Sequence, residues 1–248
     1  SDSSFVVEVD AMQEVRFRVF RYDPDKDGRR SYQTYTVPTF KGMTVLQGLL
    51  HIKEKIDPTL SIRFSCRMAT CGSCGMMING LPRLACYTLI EELKTRTITV
   101  EPLRNFPIIK DLVTDFEEFF TKHRWVKPYL IRLDTYEQEK SNVSYRQSDE
   151  ELEHYIQFAY CIKCGLCYAA CPVTATDKEF LGPQALAQAY RYYADSRDEG
   201  GVDRLRPLAE GSRLLRCHFA GSCSKVCPKG VDPALAIQLL RREVLLRT

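Results

Sequence analysis

The chain has 248 residues, 44% of them hydrophobic and 27% charged, with a formal net charge of +3. That balance supplies apolar material for a core and excludes a disordered chain, and so small a net charge gives no support to an electrostatically driven nucleic-acid binder. The unusual count is 11 cysteines against one tryptophan and four histidines; an odd number leaves a fully paired disulfide framework one thiol over.

The first half reads as strands. In Val15–Tyr22, Val15, Phe17 and Val19 alternate with arginines, the period of a half-buried strand. Asp23–Gly28 is a turn cluster, and Gln33–Val37 is the returning strand, expected to end at Pro38. Thr44 is placed to cap a helix over Val45–Ile56, stopping ahead of Asp57-Pro58. Gly75–Ile78, Asn79-Gly80 and Leu81–Ala85 form a hairpin signature, and Arg96–Val100 is another short strand. This is a small α+β plan.

The second half reads as helices. Leu112, Val113, Phe116, Phe119 and Phe120 share one helical face. Ser148–Glu151 is a capping box opening Leu152–Tyr160; Gly182-Pro183 starts Gln184–Ala194; Asp232 caps Pro233–Leu246. Thr135–Gln147 is polar and reads as a surface loop. The expected domains are residues 1–110 and 111–248, with Pro102 and Pro107 ahead of the first long helix. The longest oily stretch, Ala234–Leu246, is interrupted by Gln238, Arg241, Arg242 and Glu243, so no transmembrane helix is expected. Ser1–Asp10 lacks a basic segment followed by an apolar run and does not read as a secretory signal. Clustered cysteines without an export signal point to metal ligands rather than disulfides.

Those cysteines fall into two kinds of spacing. Cys66-x4-Cys71-x2-Cys74, with Cys86 beyond, is the plant-type ferredoxin arrangement for a [2Fe–2S] cluster. Gly72 and Gly75 allow the backbone to approach the inorganic core, and loop N–H groups can meet its negative charge. The alternative is a four-cysteine zinc knuckle, which more commonly uses two short Cys-x2-Cys pairs. Cys161-x2-Cys164-x2-Cys167-x3-Cys171-Pro172 is the bacterial ferredoxin run, whose fourth cysteine ligates the other cluster of a pair. The partner run is Cys217-x5-Cys223-x3-Cys227-Pro228, with Ala220 where a full run would carry its second cysteine. Crossed ligation assigns Cys161, Cys164, Cys167 and Cys227 to a [4Fe–4S] cluster. It leaves Cys171, Cys217 and Cys223 for the other. With no donor at Ala220 that cluster is expected to be [3Fe–4S]; the alternative is water or hydroxide on a fourth iron. The assignment uses all 11 cysteines. No GxSxG and no Gly-rich phosphate loop followed by Lys-Ser/Thr is present, so the chain reads as an electron wire that needs partners.

The stretches Ser65–Gly75, Cys161–Pro172 and Cys223–Pro233, with Arg104–Pro107 and Glu179–Asp198, resemble the iron–sulfur subunits of succinate dehydrogenase and fumarate reductase. The resemblance implies an N-terminal β-grasp plant-type ferredoxin domain and a C-terminal all-α bacterial-ferredoxin-like domain. It implies an FAD-containing flavoprotein partner that interconverts succinate and fumarate, and membrane-anchor partners where quinone binds beside the [3Fe–4S] cluster. The expected location is peripheral, on the cytoplasmic face of a bacterial or archaeal plasma membrane or on a mitochondrial matrix face. Pro172, His218, Gln238 and Arg241 fall at positions implied to lie near quinone; Arg241 is alternatively a solvated or interface charge. Val173–Thr176 departs from the tryptophans of many succinate dehydrogenases toward fumarate reductases, whereas His218 matches ubiquinone-reducing members. Arg63, Arg67 and Arg83 either balance cluster charge or meet the flavoprotein. Two other classes fit the same cysteines: a freestanding ferredoxin-like carrier and a structural zinc protein.

Overall fold

The computed structural model describes residues 13–247 apart from Thr135, Glu137, Gln138, Ser141 and Val143. Alternation at Val15, Phe17 and Val19 buries one face of β1 (Gln13–Arg21) while Arg16 and Arg18 stay exposed. β1 pairs antiparallel with β2 (Ser31–Thr39) and parallel with β5 (Thr97–Glu101). β5 pairs antiparallel with β3 (Gly75–Ile78), which pairs with β4 (Leu81–Leu84), giving the order β2-β1-β5-β3-β4. Pro38 does not end β2: it pairs opposite Glu14. The strand lies at the sheet edge, where a missing N–H costs no ladder bond. Asn79 and Gly80 both take positive φ, 48° and 78°, the geometry a two-residue hairpin turn requires.

Thr44 caps α1 (Val45–His51) through a reciprocal pair with Gln47. The expected longer helix changes at Ile52–Ile56 into a wider π turn, closed by the Asp57 N–H on the Ile52 carbonyl at 2.7 Å. Asp57 is gripped there by Arg21, and by the Tyr35 hydroxyl at 2.7 Å, which explains why the helix cannot continue.

Residues up to Pro102 form one unit together with Ile108–Thr114; Leu103–Pro107 and the chain from Asp115 form the other. Leu112 and Val113 are therefore not on the helix that their spacing with Phe116 suggests. Short strands β6 (Ile108–Lys110) and β7 (Val113–Thr114) form a hairpin instead, and α2 begins at Glu117 and ends at Trp125. The physical reason is Asp111, which turns the chain at φ 46° with its carboxylate buried. That carboxylate accepts from Arg21 Nε at 3.1 Å, Tyr22 N at 2.9 Å and Ser61 N at 2.8 Å.

The second unit is helical. α3 (Asp149–Glu153) opens on the Ser148–Glu151 capping box, but α4 (Ile156–Ala159) is separate because Tyr155 leaves helical geometry. α5 (Leu166–Ala170) and α6 (Pro172–Thr176) are short, and α7 (Pro183–Tyr193), α8 (Gly201–Ala209), α9 (Ser222–Lys225) and α10 (Pro233–Arg247) follow. Phe158, Phe180, Leu186, Leu205, Leu214 and Leu240 form the core. Asp232 accepts from Leu235 N at 2.9 Å and caps α10. The buried Arg204 pairs with Asp198 at 2.6 Å and also donates to the Val126, Lys127 and Tyr129 carbonyls, tying the chain beyond α2 to α8. The Thr135–Gln147 loop falls partly outside the described residues. Among the described residues no helix is long and apolar enough to cross a membrane.

A Cβ on Gly48 of α1 would overlap the Phe17 ring, with Cε2 only 2.9 Å away. Gly48→Ala should therefore cost about 1–3 kcal/mol by overpacking, read as a lowered guanidinium midpoint with an unchanged slope.

Candidate metal centres

The loop from Cys66 to Cys74 owes its curvature to three residues at positive φ: Arg67 at 58°, Ala69 at 57° and Gly72 at 75°. Such a backbone turns successive N–H groups to one side, forming a concave anion site. Met68, Thr70 and Cys71 N–H donate to Cys66 Sγ at 3.4, 3.3 and 3.2 Å. Cys66 and Ser73 N–H donate to Cys71 Sγ at 3.4 and 3.5 Å. Ala69 N–H reaches Cys86 Sγ at 3.2 Å, and Cys86 N–H reaches Cys74 Sγ at 3.5 Å. The hairpin returns Cys86 to this loop, held by the Ala85 N–H on the Cys74 carbonyl at 3.0 Å. Sequence reasoning credited Gly72 and Gly75; Gly75 is the first residue of β3, and Arg67 and Ala69 went unnoticed as turn formers.

The loop sorts its thiols. Burial works to raise Cys71, but the Ser73 hydroxyl and the Cys66 and Ser73 N–H groups overcome it and bring the thiol down to about 6. Burial and the neighbouring Cys86 push Cys74 up to about 12. Arg63 donates to the Thr114 carbonyl at 3.0 Å, Arg67 lies over the Phe64 ring, and Arg83 sits on β4 opposite Met76.

In the second unit the remaining thiols line two cavities. Cys161, Cys164, Cys167 and Cys227 line one, with Gln184 in its wall. Cys171, Cys217 and Cys223 line the other, together with Pro172, His218 and Ala220. Burial pushes Cys164 up to about 12 and Cys223 to about 11, and raises Cys167 well above the usual thiol range. Among the described residues, no group of three or more His, Cys, Asp or Glu side chains is arranged to hold a single metal ion.

Asn105 was overlooked at the sequence level. Its side-chain nitrogen lies 2.9 Å from the Tyr168 carbonyl, 3.3 Å from Ala169, 3.1 Å from Cys171 and 2.9 Å from the Thr174 hydroxyl. It clamps the segment that carries Cys171. Its own φ of 67° is one that asparagine tolerates better than most residues. Arg241 donates to the Leu215 and Cys217 carbonyls, both at 3.3 Å, and so braces the loop that presents Cys217. His218 is exposed, Pro172 opens α6, and Gln238 does not line the cavity; its Nε2 is buried without a partner.

Residues 16–121 match the family model of a 2Fe-2S iron-sulfur cluster binding domain, and residues 157–231 that of a 4Fe-4S dicluster domain. The chain is 48% identical to the fumarate reductase iron-sulfur subunit of Mycobacterium tuberculosis, over 92% of this chain and 91% of that one. It is 40% identical to the succinate dehydrogenase iron-sulfur subunit of Paracoccus denitrificans, over 91% and 86%. A chain of the apo Mycobacterium smegmatis Sdh1 complex superposes with a TM-score of 0.86 at 28% identity, covering 96% of this chain and 98% of that one. Fold and thiol sites thus define a two-domain iron–sulfur protein. The chain belongs to the family of iron–sulfur subunits of fumarate reductase and succinate dehydrogenase, an oxidoreductase complex.

Two outcomes follow from the thiols and their clamp. Metal binds the thiolate, so a thiol held near 12 must give up its proton on loading. Reconstitution with ferrous iron and sulfide in a pH-stat should release protons and should weaken as the pH is lowered. Asn105→Ala should remove one of the two side-chain donors that reach the Tyr168 and Cys171 carbonyls, the Thr174 hydroxyl remaining, and cost about 0.5–1.5 kcal/mol, read as a lowered denaturant midpoint.

Proposed function

We propose that this chain relays electrons between an FAD-containing flavoprotein that interconverts succinate and fumarate and a quinone held by membrane-anchor subunits. Cys66, Cys71, Cys74 and Cys86 would hold [2Fe–2S]; Cys161, Cys164, Cys167 and Cys227 would hold [4Fe–4S]; Cys171, Cys217 and Cys223 would hold [3Fe–4S]. When bound, these groups supply one-electron transfer. The observation that carries the reading is the division of seven thiols between two cavities, four in one and three in the other, with Ala220 beside the three.

The residues themselves supply the rest. Backbone N–H groups of the first loop meet negative charge on Cys66, Cys71 and Cys86, and the Cys86 N–H meets that on Cys74. Largely apolar walls around the other two sets keep water from them, which with hydrogen bonding and net charge sets a cluster's potential. Met68, 72% exposed, lies two residues beyond Cys66, and Tyr87, 67% exposed, follows Cys86; Phe219, 58% exposed, lies two residues beyond Cys217. Apolar side chains left in water around the thiol sites suit a subunit that docks at each of them better than a freestanding carrier. Pro172 and His218 line the cavity of Cys171, Cys217 and Cys223 and belong to the proposed quinone end, where a histidine can donate to a carbonyl oxygen or pass a proton. Arg241 serves that end by bracing Cys217, and Gln238 is not among the residues that line the cavity. The complex would sit on the cytoplasmic face of a prokaryotic plasma membrane, or the matrix face of a mitochondrial one.

Iron analysis and EPR of the air-oxidised complex test the reading. It requires about nine irons per chain and a paramagnetic oxidised trinuclear signal that disappears on mild reduction. Ala220→Cys should raise the count to about ten, abolish that signal and lower the midpoint, because the new thiolate adds negative charge. A wild-type protein already at about ten irons without the signal would overturn the trinuclear assignment, and one without iron would overturn the relay.

A further inference from the structure

The wall of the cavity lined by Cys161, Cys164, Cys167 and Cys227 is mostly aliphatic; among the described residues its other polar side chains are Gln184 and Lys229. Lys229 is partly exposed, whereas Gln184 is 2% exposed at the start of α7. The Gln184 amide is held from behind: its Nε2 lies 3.1 Å from Nδ1 of the buried His123 on α2. Burial, with the cations of Lys163 and Arg124, lowers His123 to about 4, so the ring is neutral at pH 7 and Nδ1 can accept. That contact uses one of the two Nε2 hydrogens. Oε1 is buried with no partner at all.

A buried amide oxygen left unmet is destabilising, and a methionine of similar volume would avoid that cost. The fold keeps an amide here although its own packing does not satisfy it. Gln184 shares this cavity wall with Cys161, Cys164, Cys167 and Cys227.

We propose that Gln184 tunes the [4Fe–4S] cluster: its second Nε2 hydrogen is donated to a ligating sulfur of this cavity, and His123 is the positioning residue that aims it. The inference rests on the ligand reading given above. A donor to a ligating thiolate spreads the extra negative charge of the reduced state and raises the potential.

The test is Gln184→Met in the assembled membrane-bound complex, followed by EPR-monitored redox titration and thermal unfolding. The [4Fe–4S] midpoint should fall by about 59 mV, a tenfold loss in the reduced-to-oxidised ratio for one electron. The midpoints of the other two clusters should not move and the unfolding temperature should not drop. Gln184→Glu should move the same midpoint further down, since it adds negative charge. A complete [4Fe–4S] signal at the wild-type midpoint overturns the proposal, as does a lowered unfolding temperature with that midpoint unchanged. Should the methionine variant fail to assemble, the wild type decides. With glutamine side chains labelled with nitrogen-15, ENDOR of its reduced [4Fe–4S] cluster should show a nitrogen coupling, and absence of that coupling overturns the proposal. A wild-type complex without any [4Fe–4S] signal would instead defeat the ligand reading, and this inference with it.

Discussion

Negative charge on buried sulfur is the constraint around which this chain is built. A thiolate taken out of water needs hydrogen-bond donors in its place, and the cheapest are backbone N–H groups that a helix or sheet has not already used. Regular structure leaves none, so the chain between Ser65 and Gly75 is neither helix nor strand. Arg67, Ala69 and Gly72 adopt the left-handed conformation, and seven N–H groups turn toward the sulfurs. The conformational cost at Arg67 and Ala69 is offset by those contacts. The surrounding sheet supplies the rigidity: β3, β4 and the tight turn between them return Cys86 to a loop it could not reach by local structure alone.

The second unit meets the same constraint with short helices. Cys161–Cys171 and Cys217–Cys227 are far apart in sequence, yet each cavity draws thiols from both. Helices α5 and α9 of these segments contact each other directly, and the long helices α7 and α10, packed against one another, support α5 and α9 respectively. Polar side chains then secure the irregular backbone that helices cannot: Asn105 clamps the Tyr168–Thr174 segment, Arg241 holds the Cys217 loop, and Arg204 ties the chain beyond α2 to α8. The Asn105 donor reaches carbonyl oxygens that the end of the short helix α5 leaves open.

Much of the plan was legible because its signals are local. Alternation at Val15, Phe17 and Val19, the Asn79-Gly80 turn, the Thr44 and Ser148 capping boxes and the Asp232 cap each depend on a few adjacent residues, and the structure contains all of them. The misread places are those where a distant residue intervened. Leu112 and Val113 fit a helical face, but Asp111 is held by Arg21, Tyr22 and Ser61 from across the unit. The helical run over Val45–Ile56 ends where expected but widens into a π turn from Ile52, where Asp57 is gripped by β1 and β2. Pro38 stayed within β2 only because that strand has no neighbour on its outer side.

The sequence by itself determined which kind of protein this is. Thiolate spacing is a short-range property, set by how tightly a few residues can wrap an inorganic core, so Cys66–Cys74 and Cys161–Cys171 carry their chemistry wherever the rest of the chain goes. Tertiary structure alone decided what surrounds those thiols. Asn105 stands 66 positions from Cys171, and Gln184 and His123 are 61 positions apart. A hydrogen bond between residues so distant leaves no periodicity or spacing to read; it exists only once packing has brought its partners within about 3 Å of each other.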